Sequence, residues 1–215
     1  MDDATPTYSA AKLSRVLVVK IGGSLAETGR LNDMLARVAA AKRPVVVVPG
    51  GGNFAQKVRD LQNALKFDDQ SAHRLAMLGM HQMAEIYFTI DRRFAAADSL
   101  EGIARILSIG GLTPVWMPLQ MCQSDPLIPA DWSITSDGLA ARLAELMGGA
   151  PLVLLKSVDV APDESAADLA REGVVDDAFP AIVARGKIGW RIFGPSDDAA
   201  FSAFLAVSPA MEAKS

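Results

Sequence analysis

Two continuous apolar runs, Val16-Leu17-Val18-Val19 and Val45-Val46-Val47-Val48, constrain the fold more than any other feature of the chain. A strand solvated on one face alternates apolar and polar side chains. These runs do not alternate, so each needs cover on both faces, as in a parallel sheet flanked by helices. Both end in glycines, in Lys20-Ile21-Gly22-Gly23-Ser24 and in Pro49-Gly50-Gly51-Gly52. Between them Leu31, Met34, Leu35 and Val38 recur at helical spacing. The segment therefore reads as strand, helix, strand, a βαβ unit with a right-handed crossover.

The alternation continues along the chain. Phe54, Val58, Leu61 and Leu65 mark a second helix, and Ser71 opens a long one running to Phe88. Ile103, Ile106 and Leu107 belong to a short helix ending near Gly110-Gly111, and Pro114 to Pro118 reads as a strand bounded by prolines. Ser136-Asp137 begins a helix through Leu139, Leu143 and Met147, closed by Gly148-Gly149. Leu152 to Leu155 and Arg191 to Gly194 are further strands, and Ser196-Asp197-Asp198 starts a last helix through Leu205. The expectation is one α/β domain over 15–208, with helices on both faces of the sheet, a loose leader over 1–14 and a tail over 209–215.

Composition narrows the function. In 215 residues, 21 Lys and Arg face 25 Asp and Glu, a net charge of −4, which argues against a nucleic-acid binder. Folding buries about 70 % of the surface of a chain this long, enough for one substantial core. The single cysteine, Cys122, forms no disulfide within the chain, and two histidines are too few for most zinc centres. No apolar run approaches the ~20 residues that cross a bilayer, and the expected setting is cytoplasmic.

Ligands of such sheets bind beyond the carboxyl ends of the strands, and three of those ends carry unusual residues. Glycines after the first strand allow a phosphate to approach backbone N–H groups, while Lys20 offers a positive charge; the plain reading is a turn whose lysine snorkels to solvent. Gly50-Gly51-Gly52-Asn53 leads directly into a helix, where free amides and the helix dipole form an anion site, and one turn needs only one glycine. Ser133-Ile134-Thr135-Ser136-Asp137 enters another helix; Ser136 or Asp137 serves either as an N-cap or to orient lysines around a transferring phosphoryl group. No Walker A loop and no Gly-x-Gly-x-x-Gly fingerprint occurs. His73, Met77 and His81 share a helix face, lining either core or acceptor pocket, and His81 or Tyr87 is a candidate contact for an acceptor ring. Cys122 has no nearby catalytic partner.

Taken in order, Lys20 to Ser24, Gly50 to Asn53, Thr135-Ser136-Asp137, and Leu154-Leu155-Lys156-Ser157-Val158-Asp159-Val160 resemble the motifs of the amino acid kinase family, which includes acetylglutamate, carbamate, aspartate and bacterial uridylate kinases. The resemblance implies a three-layer αβα sandwich on a mainly parallel eight-stranded sheet and Mg-ATP-dependent phosphorylation of a carboxylate, carbamate or phosphate. Carried over by position, Lys20 contacts the transferred phosphoryl group beside Gly22, Gly23 and Ser24, and Asp137 positions lysines. Gly50, Gly51, Gly52, Asn53, Ser133 and Thr135 hold the acceptor, while Lys156, Ser157 and Asp159 lie on the nucleotide side, with magnesium carried by ATP phosphates rather than by a protein cage. The second catalytic lysine of many relatives follows a Gly-Gly-Met-type segment that this chain lacks; Lys187 and Lys156 are the candidate substitutes. Where bacterial uridylate kinases carry a phosphate-binding arginine, this chain has Gln56, which argues against uridylate.

Within the family the chain resembles a compact branch that phosphorylates [5-(aminomethyl)furan-3-yl]methyl phosphate for methanofuran-type cofactors of one-carbon metabolism. The short length, the Leu154 to Val160 strand end and Gly173-Val174-Val175-Asp176-Asp177-Ala178-Phe179 carry that likeness. Two readings stand beside it: a carboxylate or carbamate kinase of amino-acid metabolism, and a non-catalytic nucleotide or oxyanion binder. The family resemblance also implies a homodimer or dimer-built assembly, with the helix from Ser71 to Phe88 as the interface.

Overall fold

The computed structural model describes residues 10–207. Its strands are β1 (Leu17–Ile21), β2 (Val45–Pro49), β3 (Phe94–Ala97), β4 (Thr113–Trp116), β5 (Leu152–Leu155) and β6 (Trp190–Phe193). They form one sheet in the order β3-β4-β2-β1-β5-β6, every neighbouring pair parallel. Helix α1 (Ala10–Leu13) precedes β1, and α2 (Leu31–Ala39) joins β1 to β2. Two helices, α3 (Gly52–Leu65) and α4 (Asp69–Ile90), lead to β3, and α5 (Leu100–Ile109) leads to β4. Then α6 (Leu119–Gln123) and α7 (Ser136–Leu146) lead to β5, α8 (Ala166–Arg171) and α9 (Phe179–Arg185) lead to β6, and α10 (Asp198–Ala206) follows.

The two central strands are buried along their whole length, as their unbroken apolar character requires. Side chains alternate between faces. Leu17, Val19, Ile21, Val45 and Val47 pack with Leu35 and Val38 of α2 and Phe201 of α10. Val18, Val46, Val48 and Leu154 pack on the other face with Ile103 of α5, Leu139 and Leu143 of α7 and Phe179 of α9. Lys20 follows the parity of Val18 and so belongs to the α7 face. A one-residue slip of β1 would turn Lys20 onto the apolar face lined by α2. Each fully buried aliphatic side chain contributes about 1.5–3 kcal/mol, so the valine runs hold that register firmly.

The sheet has six strands among the described residues, not the eight that the resemblance implied. The intervening segments carry no apolar run of strand length: 117–135 holds Pro118, Pro126 and Pro129, and 156–178 is rich in acidic residues and alanine. β3 escapes a reading of the residues because Phe94-Ala95-Ala96-Ala97 lacks β-branched side chains; its place beside β4 makes it a strand. The long helix starts at Asp69, capped by the Asp68 carboxylate, which accepts from the Ser71 amide. Of the expected leader, Ala10–Leu13 form one helical turn with Leu13 buried, and residues 1–9 and 208–215 lie outside the described residues.

Arg30, just before α2, ties two strand ends to the start of α10. Its Nη1 donates to the Lys156 carbonyl at 2.8 Å, its Nη2 to the Gly194 carbonyl at 3.1 Å, and it pairs with the Asp198 carboxylate. Arg30→Ala is expected to destabilise the protein by about 2–4 kcal/mol, because it strands buried carbonyls and a partly buried carboxylate. Arg171→Ala, which removes an exposed pair with Asp168, changes stability by less than about 0.5 kcal/mol. Urea unfolding of the two variants compares them.

Candidate active site

Because every strand runs in one direction, the segments after β1, β2 and β5 emerge at one edge of the sheet and meet there. The Gly22 amide donates to the Leu155 carbonyl at 3.2 Å, the Gly50 amide to the Ile21 carbonyl at 2.8 Å, and the Ser24 hydroxyl to that of Ser157 at 3.1 Å. Packing here excludes side chains. A Cβ on Gly23 would stand 2.2 Å from the backbone of Gly52, and one on Gly50 would stand 2.5 Å from the Gly23 amide. Gly52 itself has φ +52, in the left-handed region that favours glycine. The surplus glycines thus bring two loops into backbone contact, which leaves amides along a common rim.

Beside this rim, a carboxylate lies between two ammonium groups. Asp137, in the first turn of α7, is 4 % exposed and Lys20 is 5 % exposed. Lys20 Nζ lies 2.9 Å from Asp137 Oδ1, and Lys156 Nζ donates to Asp137 Oδ2 at 2.6 Å and also to the Val174 carbonyl. Burial pushes the Asp137 pKa up, but the two lysines outweigh it and hold the carboxyl below its ordinary value. The Lys156 pKa is lowered, first by burial and then by Lys20, against the opposing pull of Asp137. Two cations around one anion leave an excess of positive charge poised for an anionic ligand.

Asp137 is therefore not a helix cap. That work falls to Asp176, whose Oδ2 accepts from the Thr135 amide at 2.7 Å, the Thr135 hydroxyl at 3.0 Å and the Gly138 amide at 2.7 Å. Burial, with Asp137 nearby, raises the Asp176 pKa to about 6, and its Oδ1 is buried without a partner.

A cleft of about 220 Å³ opens between this edge and the helices α3 and α4. Gly50, Gly51 and Gly52 line one end with Ser24 and Thr135; Met77 and Met80 form a wall, and Trp132 carries the Arg59 guanidinium 4.4 Å above its ring. Of the expected acceptor residues, Asn53 and Ser133 lie outside this lining. Asp159 does not face it either; its carboxylate accepts from the amide and hydroxyl of Ser196 and so fixes the loop after β5. Lys187 is a correction. It sits exposed, at φ 49, in the turn before β6, where Gly186 approaches Gly149 at the far end of α7. Asp137 is at the opposite end of that helix, eleven residues or about 16 Å long.

The helix face shared by His73, Met77 and His81 divides. His73 and Met77 line the cleft, whereas His81 Nε2 accepts from the Leu119 amide at 3.3 Å and borders a separate cavity. Tyr87 is fully buried in the core on the α2 side, where burial drives its phenol pKa up, so neither His81 nor Tyr87 meets an acceptor ring in this cleft. Burial likewise pushes the Cys122 thiol up to about 12. Trp132, Arg59 and Asp176 went unread in the sequence, the first two because no motif encloses them. Among the described residues no group of three or more His, Cys, Asp or Glu is placed to hold a metal ion.

The sequence profile of the amino acid kinase family matches residues 15–168, and the chain belongs to that family. It is 27 % identical over 183 residues to the [5-(aminomethyl)furan-3-yl]methyl phosphate kinase of Methanocaldococcus jannaschii, covering 80 % of this chain and 84 % of the relative. Uridylate kinase from Archaeoglobus fulgidus shares the fold with a TM-score of 0.65 at 15 % identity, over 90 % of this chain and 98 % of that one. UMP kinase from Ureaplasma parvum does so with a TM-score of 0.61 at 15 % identity, over 85 % and 91 %.

The raised pKa of Asp176 gives a signed prediction. A carboxyl that binds its proton more tightly when folded contributes stability below its unfolded pKa near 3.8, and that contribution is lost as pH rises through about 6. The stability of wild type relative to Asp176→Asn should therefore fall by about 2–3 kcal/mol between pH 3.5 and 7. Urea titrations of both proteins across that range measure it.

Proposed function

We propose that the protein is an ATP-dependent phosphotransferase that passes the γ-phosphoryl group to the phosphate of a small phosphomonoester. The observation that carries this reading is the buried Lys20–Asp137–Lys156 cluster beside two loops in backbone contact. Phosphoryl transfer asks little covalent work of a protein; charge neutralisation, alignment and exclusion of water supply the rate. Mg-ATP, when bound, supplies the phosphoryl group and a metal ion that neutralises charge on its phosphates. The residues present suit such a ligand, because the glycine rim has no room for side chains and the lysines exceed the carboxylate that pairs them.

In this reading the Lys20 and Lys156 ammonium groups neutralise the oxygens of the group in transfer, with the Gly23 amide beside them, while the Gly22 amide is held by the Leu155 carbonyl. Lys156 takes the place of the missing second lysine, and Asp137 is a positioning residue that holds both cations to one point. Burial keeps their charges in a weakly screening environment, where each counts for more than in water. Gly51 and Gly52 hold the acceptor phosphate through amides at the start of α3, which suits a dianion without an arginine in the loop, and the Gly50 amide, bonded to the Ile21 carbonyl, fixes the loop. A phosphate acceptor is already anionic near neutral pH and needs no general base. The acceptor named for the M. jannaschii relative, a ring bearing a methyl phosphate and an aminomethyl group, has the size and the polar ends that the cleft suits.

Self-association through α4 belongs to the same proposal; Leu75, Leu78, Ile86 and Ile90 are exposed on it, beside Leu61 and Leu65 of α3. Sedimentation equilibrium is expected to give a dimer that Leu78→Glu weakens at least tenfold, about 1.4 kcal/mol.

With Mg-ATP and a panel of phosphate, carboxylate and carbamate acceptors, ADP release is expected with phosphomonoesters. Lys20→Ala, Lys156→Ala and Asp137→Ala should each lower kcat by about 10²–10³. Lys187→Ala should leave it within about twofold, since the residue lies at the other end of the sheet. Absence of acceptor-dependent ADP release across the panel would remove the kinase reading.

A further inference from the structure

The charge of the lysine cluster depends on a fourth residue, Asp176. Lys20 and Lys156 bring two positive charges and Asp137 one negative. An ionised Asp176 cancels the remaining positive charge, whereas a protonated Asp176 leaves it in place. The residue is close enough to act on both partners: Asp137 raises the pKa of Asp176, and Asp176 raises that of Lys156.

Packing shows that this carboxyl has a place made for it. Gly138 lies in the first turn of α7 with helical backbone, a conformation that any residue adopts, and glycine weakens a helix. A Cβ there would stand 2.7 Å from Asp176 Oδ1, 3.2 Å from Oδ2 and 2.7 Å from Ile134 Cγ1. The missing side chain is thus the notch through which Oδ2 reaches the amides of Thr135 and Gly138 and the Thr135 hydroxyl. On either side of Asp176 the same segment takes the Lys156 ammonium at the Val174 carbonyl and ties the Ala178 amide to the Ser133 carbonyl at 2.9 Å. Towards α8 it meets the Leu169 carbonyl, which accepts from the Val174 and Val175 amides.

The charged groups around Asp176 are therefore Asp137 on α7, Lys156 after β5 and, beyond Asp137, Lys20 on β1. Three donors on Oδ2 favour the carboxylate. Burial and the charge of Asp137 favour the acid and prevail, and the unpaired Oδ1 acts in the same sense, since it would hold charge out of water. Phosphates drawn to the lysines add negative charge nearby and move the balance further toward the acid.

We propose that Asp176 is a positioning residue of phosphoryl transfer that works in its protonated form. As phosphates bind it takes one proton from solvent, which leaves the lysines their excess charge, and it holds the start of α7, and so Asp137, in place; the proton returns to solvent when products leave. The proposal rests on the phosphotransferase reading above.

Mg-ADP binding, followed by calorimetry at pH 7 in two buffers of different ionisation enthalpy, tests it. Wild type is expected to take up about 0.3–0.8 proton per site, and Asp176→Asn less than about 0.1. Asparagine keeps an acceptor for the three donors and stands in for the neutral acid, so its kcat and its KM for ATP should stay within about threefold of wild type. Asp176→Ala removes the acceptor and should lower kcat about 10–100-fold with the KM for ATP within about threefold; Gly138→Ala, which crowds the carboxyl out of its notch, should do the same. A second measurement needs no variant: the infrared difference spectrum of wild type should gain the carbonyl band of a protonated carboxyl when Mg-ADP binds. Absence of that band, absence of proton uptake, or uptake that persists in Asp176→Asn would overturn the proposal and leave the phosphotransferase standing. So would a wild-type kcat in Asp176→Ala, or a kcat in Asp176→Asn as low as that of Asp176→Ala. Failure of wild type to bind Mg-ADP would overturn both.

Discussion

A carboxylate buried between two lysines is the constraint around which the rest of the structure is arranged. Three ionised groups out of water are expensive, and their mutual attraction offsets the desolvation only when geometry and further hydrogen bonds are good. The fold meets the requirement with its most rigid parts. Lys20 rises from the central strand of the sheet, Lys156 follows the next strand, and Asp137 sits on the first turn of a helix packed against both. The apolar side chains that surround Lys20 on β1 fix its face, so the valine runs are as much a part of the site as the charged residues are.

The glycine loops answer a second constraint, distance. Amides from two chain segments line one rim only if the segments nearly touch, and the contact between Gly23 and Gly52 leaves no space for a Cβ. Rigidity follows from the same packing: with Ile21, Leu155 and the Ser24–Ser157 pair joined by hydrogen bonds, the rim does not need to assemble when a ligand arrives. Preorganised donors lose little on meeting charge, which is where most electrostatic catalysis originates.

Much of this was legible from the residues, and the limits have physical causes. Continuous apolar runs ending in glycine identify buried parallel strands, and Lys20 and Gly50 to Gly52 stand out because their types conflict with the elements they interrupt, whereas Asp137 at a helix start also reads as an ordinary cap. Lys187 misled because spacing along the chain carries no information about which end of a sheet a turn occupies. β3 was hidden because an alanine strand has no signature of its own. Trp132, Arg59 and His73 were beyond reach as a set: they meet only when α3, α4 and the segment before α7 pack, and nothing local records that meeting. Asp176 was quoted within a likeness but not recognised as a cap, since it caps a helix that begins 40 residues earlier.

The segment Val174 to Asp176 holds two things at once, the Lys156 ammonium through a carbonyl and the start of α7 through a carboxylate. A change of three residues there would alter the reach of a lysine and the aim of an aspartate in one stroke. Such a segment couples the position of the lysine to the start of the helix that carries Asp137, so neither charge shifts without the other, and no strand takes part in the coupling.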